Sequence, residues 1–429
     1  SKCLCDVVYA TPMMAGAGSF GEYLDIDAKQ TSYQALITHG KLLAGQRVLI
    51  LGGSNATGLF GIQITKALGA EVITMASARN VELVKSVGAD QRHPRTTSTM
   101  INIPPTFKAF EYANFGDILK VMKLNLQMVQ KPLTSDEVRV RVISAAVNPL
   151  DYKLVAMGAT MLPTAPTDEN PFRMGFDMAG IVVEIGSGDV YGLKVGDAVF
   201  ATPVLTEGGC FGEYLNASAN VVAPKPSNMT FNEAAGVPIA GVTSYQALIT
   251  HGKLQVGQRV LILGGSSATG MFGIQIAKAL GAEVITTAST RNVELVKSLG
   301  ADQVIEYTTQ KWGDILADHS VDLIYDCGME PESWASNAQK ILKLQSGIFA
   351  SLSTGRRVEP VESSIGAAFS LVHAIPSGEC LREIAKLIEA GHVKTVIDSV
   401  YSLEKLADAI KLQQSNKARG KIIIEVAKE

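Results

Sequence analysis

The chain has 429 residues, 47% of them hydrophobic and 18% charged, with 38 Lys and Arg against 41 Asp and Glu for a net charge of −3. That balance describes an ordinary globular protein and leaves no basic excess for nucleic acid or an anionic membrane; glycines, Lys278 and Glu283 interrupt the longest apolar run, so no membrane span is expected. Cys3, Cys5, Cys210, Cys327 and Cys380 form no CxxC pair, and the histidines lack metal-ligand spacing, which points to a reducing compartment (cytoplasmic, with a mitochondrial one left open) and to no metal site.

The first feature along the chain is a repeat. Thr31 to Gln91 recurs as Thr243 to Gln303 at a shift of 212, with eight differences among 61 residues. Upstream, SFGEYL (Ser19 to Leu24) matches CFGEYL (Cys210 to Leu215) at a shift of 191, so the first copy lacks 21 residues that the second has. Solenoids stack at least three short units, and this chain has two long ones. Residues 1–104 therefore read as a truncated partial duplicate, an incomplete nucleotide-binding fragment and linker, and the start at Ser1 fits a truncated front end. Function is read from the second copy.

From Phe107 the text starts afresh. Val138, Val140 and Val142 alternate with Arg139 and Arg141 as in a half-buried strand, and short strands with Gly, Pro and Asp turns continue to Pro226. Asn232 to Leu248 then predicts two helical stretches parted near Gly241, with Asn228 and Thr230 as caps. Next, strands alternate with helices: RVLIL, a helix from about Gly270 to Leu280, EVITTA, NVELVKSL, QVIEY, VDLIYDC, a helix around Ser333 to Leu344, and GIFASLS. This rhythm predicts βαβ units and a doubly wound parallel sheet. Helices at Cys380 to Glu389 and Leu403 to Leu412, a strand at Val396 to Val400, and GKIIIEV close the chain. The fold class is thus α/β, with a doubly wound nucleotide-binding domain (230–370) inserted in a β-rich catalytic domain made of 105–229 and 371–429.

The strongest chemical signal is the turn after Val260–Leu263. Gly264, Gly265, Ser266, Ser267, Ala268, Thr269 and Gly270 join that strand to a helix, where glycines let the backbone approach a pyrophosphate and the helix N-terminus stabilises its charge. At the end of the next strand, NAD enzymes place an acid for the ribose hydroxyl. Here the text is TTASTR, and Ser289, Thr290 and Arg291 suit a phosphate instead, which predicts NADPH. The competing readings are a turn without ligand and a solvated Arg291. Cys327, after a strand, reads as a small buried residue, and His251 as a helix-end residue.

These residues carry a resemblance. NPLDYK (148–153), GFDMAGIVVEIG (175–186), GDAVFA (196–201), GEYL (212–215), AAGVPIAGVTSYQAL (234–248), GGSSATG (264–270), SLGADQVIEY (298–307) and ARGKIIIEV (418–426) occur in the order found in the medium-chain dehydrogenase/reductase superfamily. The later portion of the chain resembles its zinc-independent, quinone-oxidoreductase-like branch. The resemblance implies a GroES-like catalytic domain around a Rossmann domain, a cleft between them, and a homodimer. It also implies that Thr243 and Tyr307 belong to the cofactor site and that NPLDYK lies beside the nicotinamide, with Asn148 donating to the substrate oxygen, Asp151 positioning its neighbours and either Tyr152 or water donating a proton; the competing reading of Tyr152 is a packed aromatic with its hydroxyl satisfied. Two departures stand out. Phe176–Asp177 replaces the His–Glu pair of the zinc alcohol dehydrogenases, and Ser267 replaces a usual glycine (Asn55 in the first copy), narrowing the approach to the turn.

Without a metal to polarise an isolated carbonyl, a conjugated acceptor is the easier substrate, because hydride adds to its far carbon and the charge spreads to an oxygen that hydrogen-bond donors stabilise. The expected function is NADPH-dependent hydride transfer to quinones or α,β-unsaturated carbonyls. A non-catalytic, crystallin-like NADPH-binding role and a damaged, poorly folding chain are the alternatives.

Overall fold

The computed structural model describes residues 32–39, 41–50, 56–76, 81–89, 91–94, 103–328, 330–352 and 361–428. Two compact units divide the chain, Ser1–Asn102 and Ile103–Glu429.

In the first unit, the strands Arg47–Ile50, Glu71–Ala76 and Gln91–Pro94 form a parallel three-stranded sheet, with helices Ala56–Ala67 and Val81–Ser86 between them. Each bound lies 212 positions before its counterpart in the second copy, except that the first strand there runs one residue further, to Leu263. Ile62, Val72 and Val84 form its small core, with Ile50, Leu59, Val87 and Ala89 packed around them. The glycines at 52 and 53, Asn55, the SFGEYL match and residues 77–80 of MASARN lie outside the described residues.

The second unit contains the two interleaved sheets that the sequence predicts. Six parallel strands run in the order Gln303–Glu306, Glu283–Ala288, Arg259–Leu263, Leu323–Asp326, Ile348–Leu352, Ala368–Val372. The order reverses beside Arg259–Leu263, and such a switch point is where open α/β sheets bind ligands. Val260 to Leu263 are all buried, as a central strand covered on both faces requires. The other sheet has the order Val222–Pro224, Ala198–Ala201, Met178–Ile185, Glu137–Val147, Lys421–Glu425, Ile397–Ser402, and Tyr214–Ser218 also pairs with Glu137–Val147. Its strands come from both flanks of the parallel sheet, so the Rossmann domain is inserted in the β-rich one. Lys123–Val129, Thr106–Tyr112 and Phe172–Arg173 form a further small antiparallel sheet.

Three local expectations are corrected. The break in the helical stretch after Thr230 falls at Gly236–Val237 rather than at Gly241: Phe231–Ala235 ends there and Pro238–Tyr245 begins anew, with proline suited to a first turn because it lacks an N–H. Gly241 lies inside that second helix, where a Cβ would meet Val237 Cγ1 at 3.1 Å. Thr230 caps Phe231–Ala235 in a capping box with Glu233, but Asn228 donates to Ile388 O instead. Arg139 faces away from Val138 and Val140 yet is buried, with its terminal nitrogens donating to Gln130 Oε1 and Lys131 O and its charge paired with Glu184.

Every strand pair of the second unit is made inside residues 103–429. A chain starting at Ile103 is therefore expected to melt cooperatively within about 3 °C of the main transition of the full chain. Calorimetry on both proteins checks this, and a loss of cooperativity in the shorter one contradicts it.

Candidate active site

The glycine turn is held from outside as well as by its own backbone. Gly264 N–H donates to Thr287 Oγ1 (2.9 Å) and Gly265 N–H to Thr287 O (2.9 Å), so the neighbouring strand fixes the start of the turn. Gly264 has φ +74°, a conformation that favours glycine, and a Cβ there would meet Gly328 Cα at 2.9 Å. A Cβ on Gly270 would meet Gly265 Cα at 2.7 Å, so this third glycine lets the helix seat on the turn. Ala268–Ala279 starts two residues earlier than expected because Ser267 is its N-cap, with Oγ accepting from Gly270 N–H at 3.0 Å. Ser267 has φ −72° and ψ 161°, ordinary extended backbone, so the glycine usual here is not needed for conformation and the side chain is spent on the cap. Among the described residues the first helical amides, Ala268 and Thr269, have no backbone acceptor, which leaves a cradle fit for a pyrophosphate.

Around the turn, Thr243 is buried on Pro238–Tyr245, and Ser244 of the same helix hydrogen-bonds Thr269 O at 2.7 Å. Cys327 donates to Leu263 O at 2.8 Å, and burial pushes its thiol up to about 12, so it is a structural residue. His251 bonds Ser370 Oγ through Nδ1 (2.8 Å), tying its helix end to the edge strand, as a helix-end reading expects.

At the end of Glu283–Ala288 the predicted phosphate contacts divide. Ser289 accepts from Asn292 Nδ2 at 3.3 Å, leaving its own hydroxyl hydrogen to give, and Arg291 is exposed. Thr290 instead donates to Glu306 Oε2 at 2.7 Å, so its hydroxyl is spent inside the protein. Tyr307 is 58% exposed, and its N–H donates to Ala288 O at 3.3 Å, which sets it beside the same strand end. The sequence reading missed Arg419. Its guanidinium donates to Asn292 Oδ1 (3.0 Å) and Arg291 O (3.0 Å), bringing a second cation there from the far end of the chain.

NPLDYK follows the long strand Glu137–Val147 and opens the helix Pro149–Met157. Asn148 N–H donates to Asp151 Oδ2 at 2.6 Å, which fixes the helix start. Here the structure corrects one expectation: the Asn148 side chain does not reach out to a substrate oxygen. Its Nδ2 donates to Asp177 Oδ2 (2.8 Å) and Ala146 O (3.3 Å), and its Oδ1 accepts from Lys421 Nζ (2.7 Å), so both amide hydrogens are used. Lys421, 2% exposed by side chain, also pairs with the fully buried Asp177 at 3.0 Å. Sequence reading did not single out Lys421; a lysine opening the apolar strand KIIIE was its only signal.

Two buried carboxylates, Asp151 and Asp177, share that single cation. Burial above all, with the neighbouring Asp177 charge adding to it, raises Asp151 to about 8 against the lowering effects of the Asn148 amide and Lys421. Asp151 Oδ1 and the Tyr112 hydroxyl are both buried without a hydrogen-bond partner. Tyr152 is half-buried, burial raises its phenol, and its hydroxyl makes no hydrogen bond among the described residues. Tyr152 packs against the core of the β-rich domain, while Leu154, Leu162 and Phe176 form a separate apolar cluster with Ile239 of the nucleotide-binding domain packed against it.

For a zinc ion the donor set does not fit. Among the described residues no group of three or more His, Cys, Asp or Glu is placed to hold a metal, and Asp177 is already taken by an ammonium and two amide donors. Among them, too, no helix is long and apolar enough to cross a membrane.

Comparison with known proteins gives two matching families. Residues 299–424 match the zinc-binding dehydrogenase family and residues 134–227 the alcohol dehydrogenase GroES-like domain. A 2-methylene-furan-3-one reductase of Solanum lycopersicum is 35% identical over 342 residues, covering 76% of this chain and 81% of that protein. The chloroplastic NADPH-dependent alkenal/one oxidoreductase of Arabidopsis thaliana is 33% identical over 334 residues, covering 75% and 80%. The solved structure of the quinone oxidoreductase from Coxiella burnetii superposes with a TM-score of 0.64 at 28% identity, over 75% of this chain and 99% of that one.

Two outcomes are expected. Ser267→Ala removes the cap and costs about 1 kcal/mol, while Ser267→Gly costs only a few tenths, as thermal melts of the two variants report. For Asp151 the folded pKa lies above the unfolded one, so the folded state binds more protons between them. Wild type is then expected to lose stability relative to Asp151→Asn as pH rises from about 4 to about 8, with no further loss above. A difference in melting temperature that is flat over that window contradicts the assignment.

Proposed function

This chain belongs to the quinone-oxidoreductase-like branch of the medium-chain dehydrogenase/reductase family, and on that premise we propose that it is an NADPH-dependent reductase of quinones or α,β-unsaturated carbonyls that works without a metal. The observation that carries the reading is Asp177: the position of a zinc-site acid is occupied by a carboxylate bound to Lys421, beside the apolar Phe176. A site built this way has no Lewis acid to offer, and a conjugated acceptor does not require one.

NADPH, when bound, supplies the hydride. The protein's part is binding, orientation and proton delivery. Gly264, Gly265 and Gly270 keep the turn bare of side chains, and Ser266 to Thr269 with the helix N-terminus receive the pyrophosphate charge. Arg291 and Ser289 hold the ribose phosphate, aided by Arg419, which stands where the Thr290 hydroxyl was expected to serve; Tyr307 lies on the adenosine side and Thr243 under the nicotinamide side. Tyr152, kept protonated by burial, donates toward the oxygen or carbon of the reduced acceptor. The apolar cluster around Phe176 keeps water from the acceptor.

The partners on this reading are small molecules, with a homodimer as the assembly and the cytoplasm as the compartment. Residues 1–104 are functionally inert, since their three-stranded sheet lacks the later strands against which a cofactor cleft forms.

Purified full-length protein is expected to oxidise NADPH with 9,10-phenanthrenequinone or an enone, and NADH much more slowly. Arg291→Ala is expected to raise the KM for NADPH about tenfold and to leave that for NADH unchanged, as loss of one charge-assisted contact implies. No turnover with any such acceptor, although NADPH raises the melting temperature, would overturn the reading in favour of a binding role.

A further inference from the structure

We propose that Asp177 and Lys421 are a positioning pair for the reaction, fixing the Pro149–Met157 helix against the Pro238–Tyr245 helix of the nucleotide-binding domain; the inference rests on the reductase reading above. Asp177 Oδ1 accepts from Ile239 N–H at 2.7 Å, in the first turn of Pro238–Tyr245. Its Oδ2 accepts from Asn148 Nδ2 (2.8 Å) and Lys421 Nζ (3.0 Å), and Lys421 closes the triangle by donating to Asn148 Oδ1 (2.7 Å).

The four residues come from four separate pieces of the chain. Asp177 precedes the strand Met178–Ile185, Asn148 caps the NPLDYK helix, Lys421 opens the last strand, and Ile239 belongs to the inserted domain. From Ile239 the same helix runs to Ser244, which binds Thr269 O in the glycine turn. Tyr152 and the cofactor cradle are thereby joined by a short rigid path whose middle link is one carboxylate. Stability alone does not account for such a pair, because well-packed apolar residues in place of a buried ion pair are often equally stable or more so. Apolar residues, however, cannot hold the Asn148 and Ile239 amides together.

Four titratable groups face Asp151 across this junction: Asp177 and Lys421, which carry the charge, and Tyr112 and Cys210, whose ionisation burial disfavours. Asp177 drives Asp151 toward its protonated form and Lys421 opposes it. Removing either partner therefore moves the Asp151 titration in opposite directions.

The test compares full-length wild type with Asp177→Asn, Lys421→Met and the double variant. The double variant removes both charges and is expected to melt near wild type even if the singles fold poorly. Its kcat is nevertheless expected to stay about 100-fold down, as misplacement of reacting groups by about 1 Å implies, with the KM for NADPH changed less than about threefold. The alkaline limb of the pH profile is expected to move to lower pH in Asp177→Asn and to higher pH in Lys421→Met. If wild type turns over no acceptor, the reductase reading fails by itself. The pair is then judged by the Asp151 carboxyl band in infrared titration, which must shift in the same opposite directions. A double variant with wild-type kcat, or single variants whose titrations fail to move apart, overturns the proposal.

Discussion

The Asp177 carboxylate is fully buried, and an ionised group in that position is tolerated only where donors surround it. Here the donors are an ammonium, a side-chain amide and a backbone amide, and each is delivered by a different part of the fold. The dependence runs outward from that demand. Lys421 must open the last strand in register with Val147, next to Asn148, and the pairing of Ile422 with Val147 does this. The helix of the inserted domain must point its first turn at the catalytic sheet, and Pro238 starts it there. Apolar packing of Phe176, Leu154 and Ile239 then seals the junction from water, which strengthens every one of these contacts.

What could be read from the sequence follows how local each feature is. The glycine turn is a strand, four residues and a helix in one run, so its type and position were legible. Gly264 has a positive φ, and Gly270 lies too close to Gly265 for a side chain. Break points were less so: Gly236 and Gly241 are equally good helix interruptions on paper, and Pro238 opens the second helix ahead of Gly241. The Asn148 side chain was misjudged for a different reason. Its partners, Asp177 and Lys421, lie 29 and 273 residues away, and nothing in NPLDYK announces that the amide faces inward. Arg419 escaped for the same cause, since it meets Asn292 across 127 residues.

The repeat shows how far a strand–helix pattern depends on what surrounds it. The two copies differ at eight of 61 positions and form the same elements, yet Arg259–Leu263 has parallel partners on both sides, whereas Arg47–Ile50 pairs with Glu71–Ala76 alone among the described residues. A parallel strand with one open side lacks both the ladder and the helix layer that bury it. The sequence differences include the position of Thr287, whose Oγ1 accepts from Gly264 N–H and which corresponds to Met75. Local sequence thus specifies the elements, and the later strands of the second copy supply the switch point that makes them a site.

The protonation states at the junction bear on which chemistry suits it. Burial raises Asp151, Tyr152, Tyr112 and Cys210 alike, so near neutral pH this interior holds its protons. Alcohol oxidation needs a group that takes a proton from the substrate hydroxyl before hydride departs. Reduction of a conjugated acceptor needs the reverse, because the product of hydride addition is an anion awaiting a proton. The proton donor proposed above, Tyr152, has its phenol raised by burial and its hydroxyl unengaged among the described residues, which agrees with the second demand. Lys421 is held by Asp177 and Asn148. The donors that occupy Asp177 and the raised acids around it both agree with the metal-free reduction of conjugated acceptors proposed above.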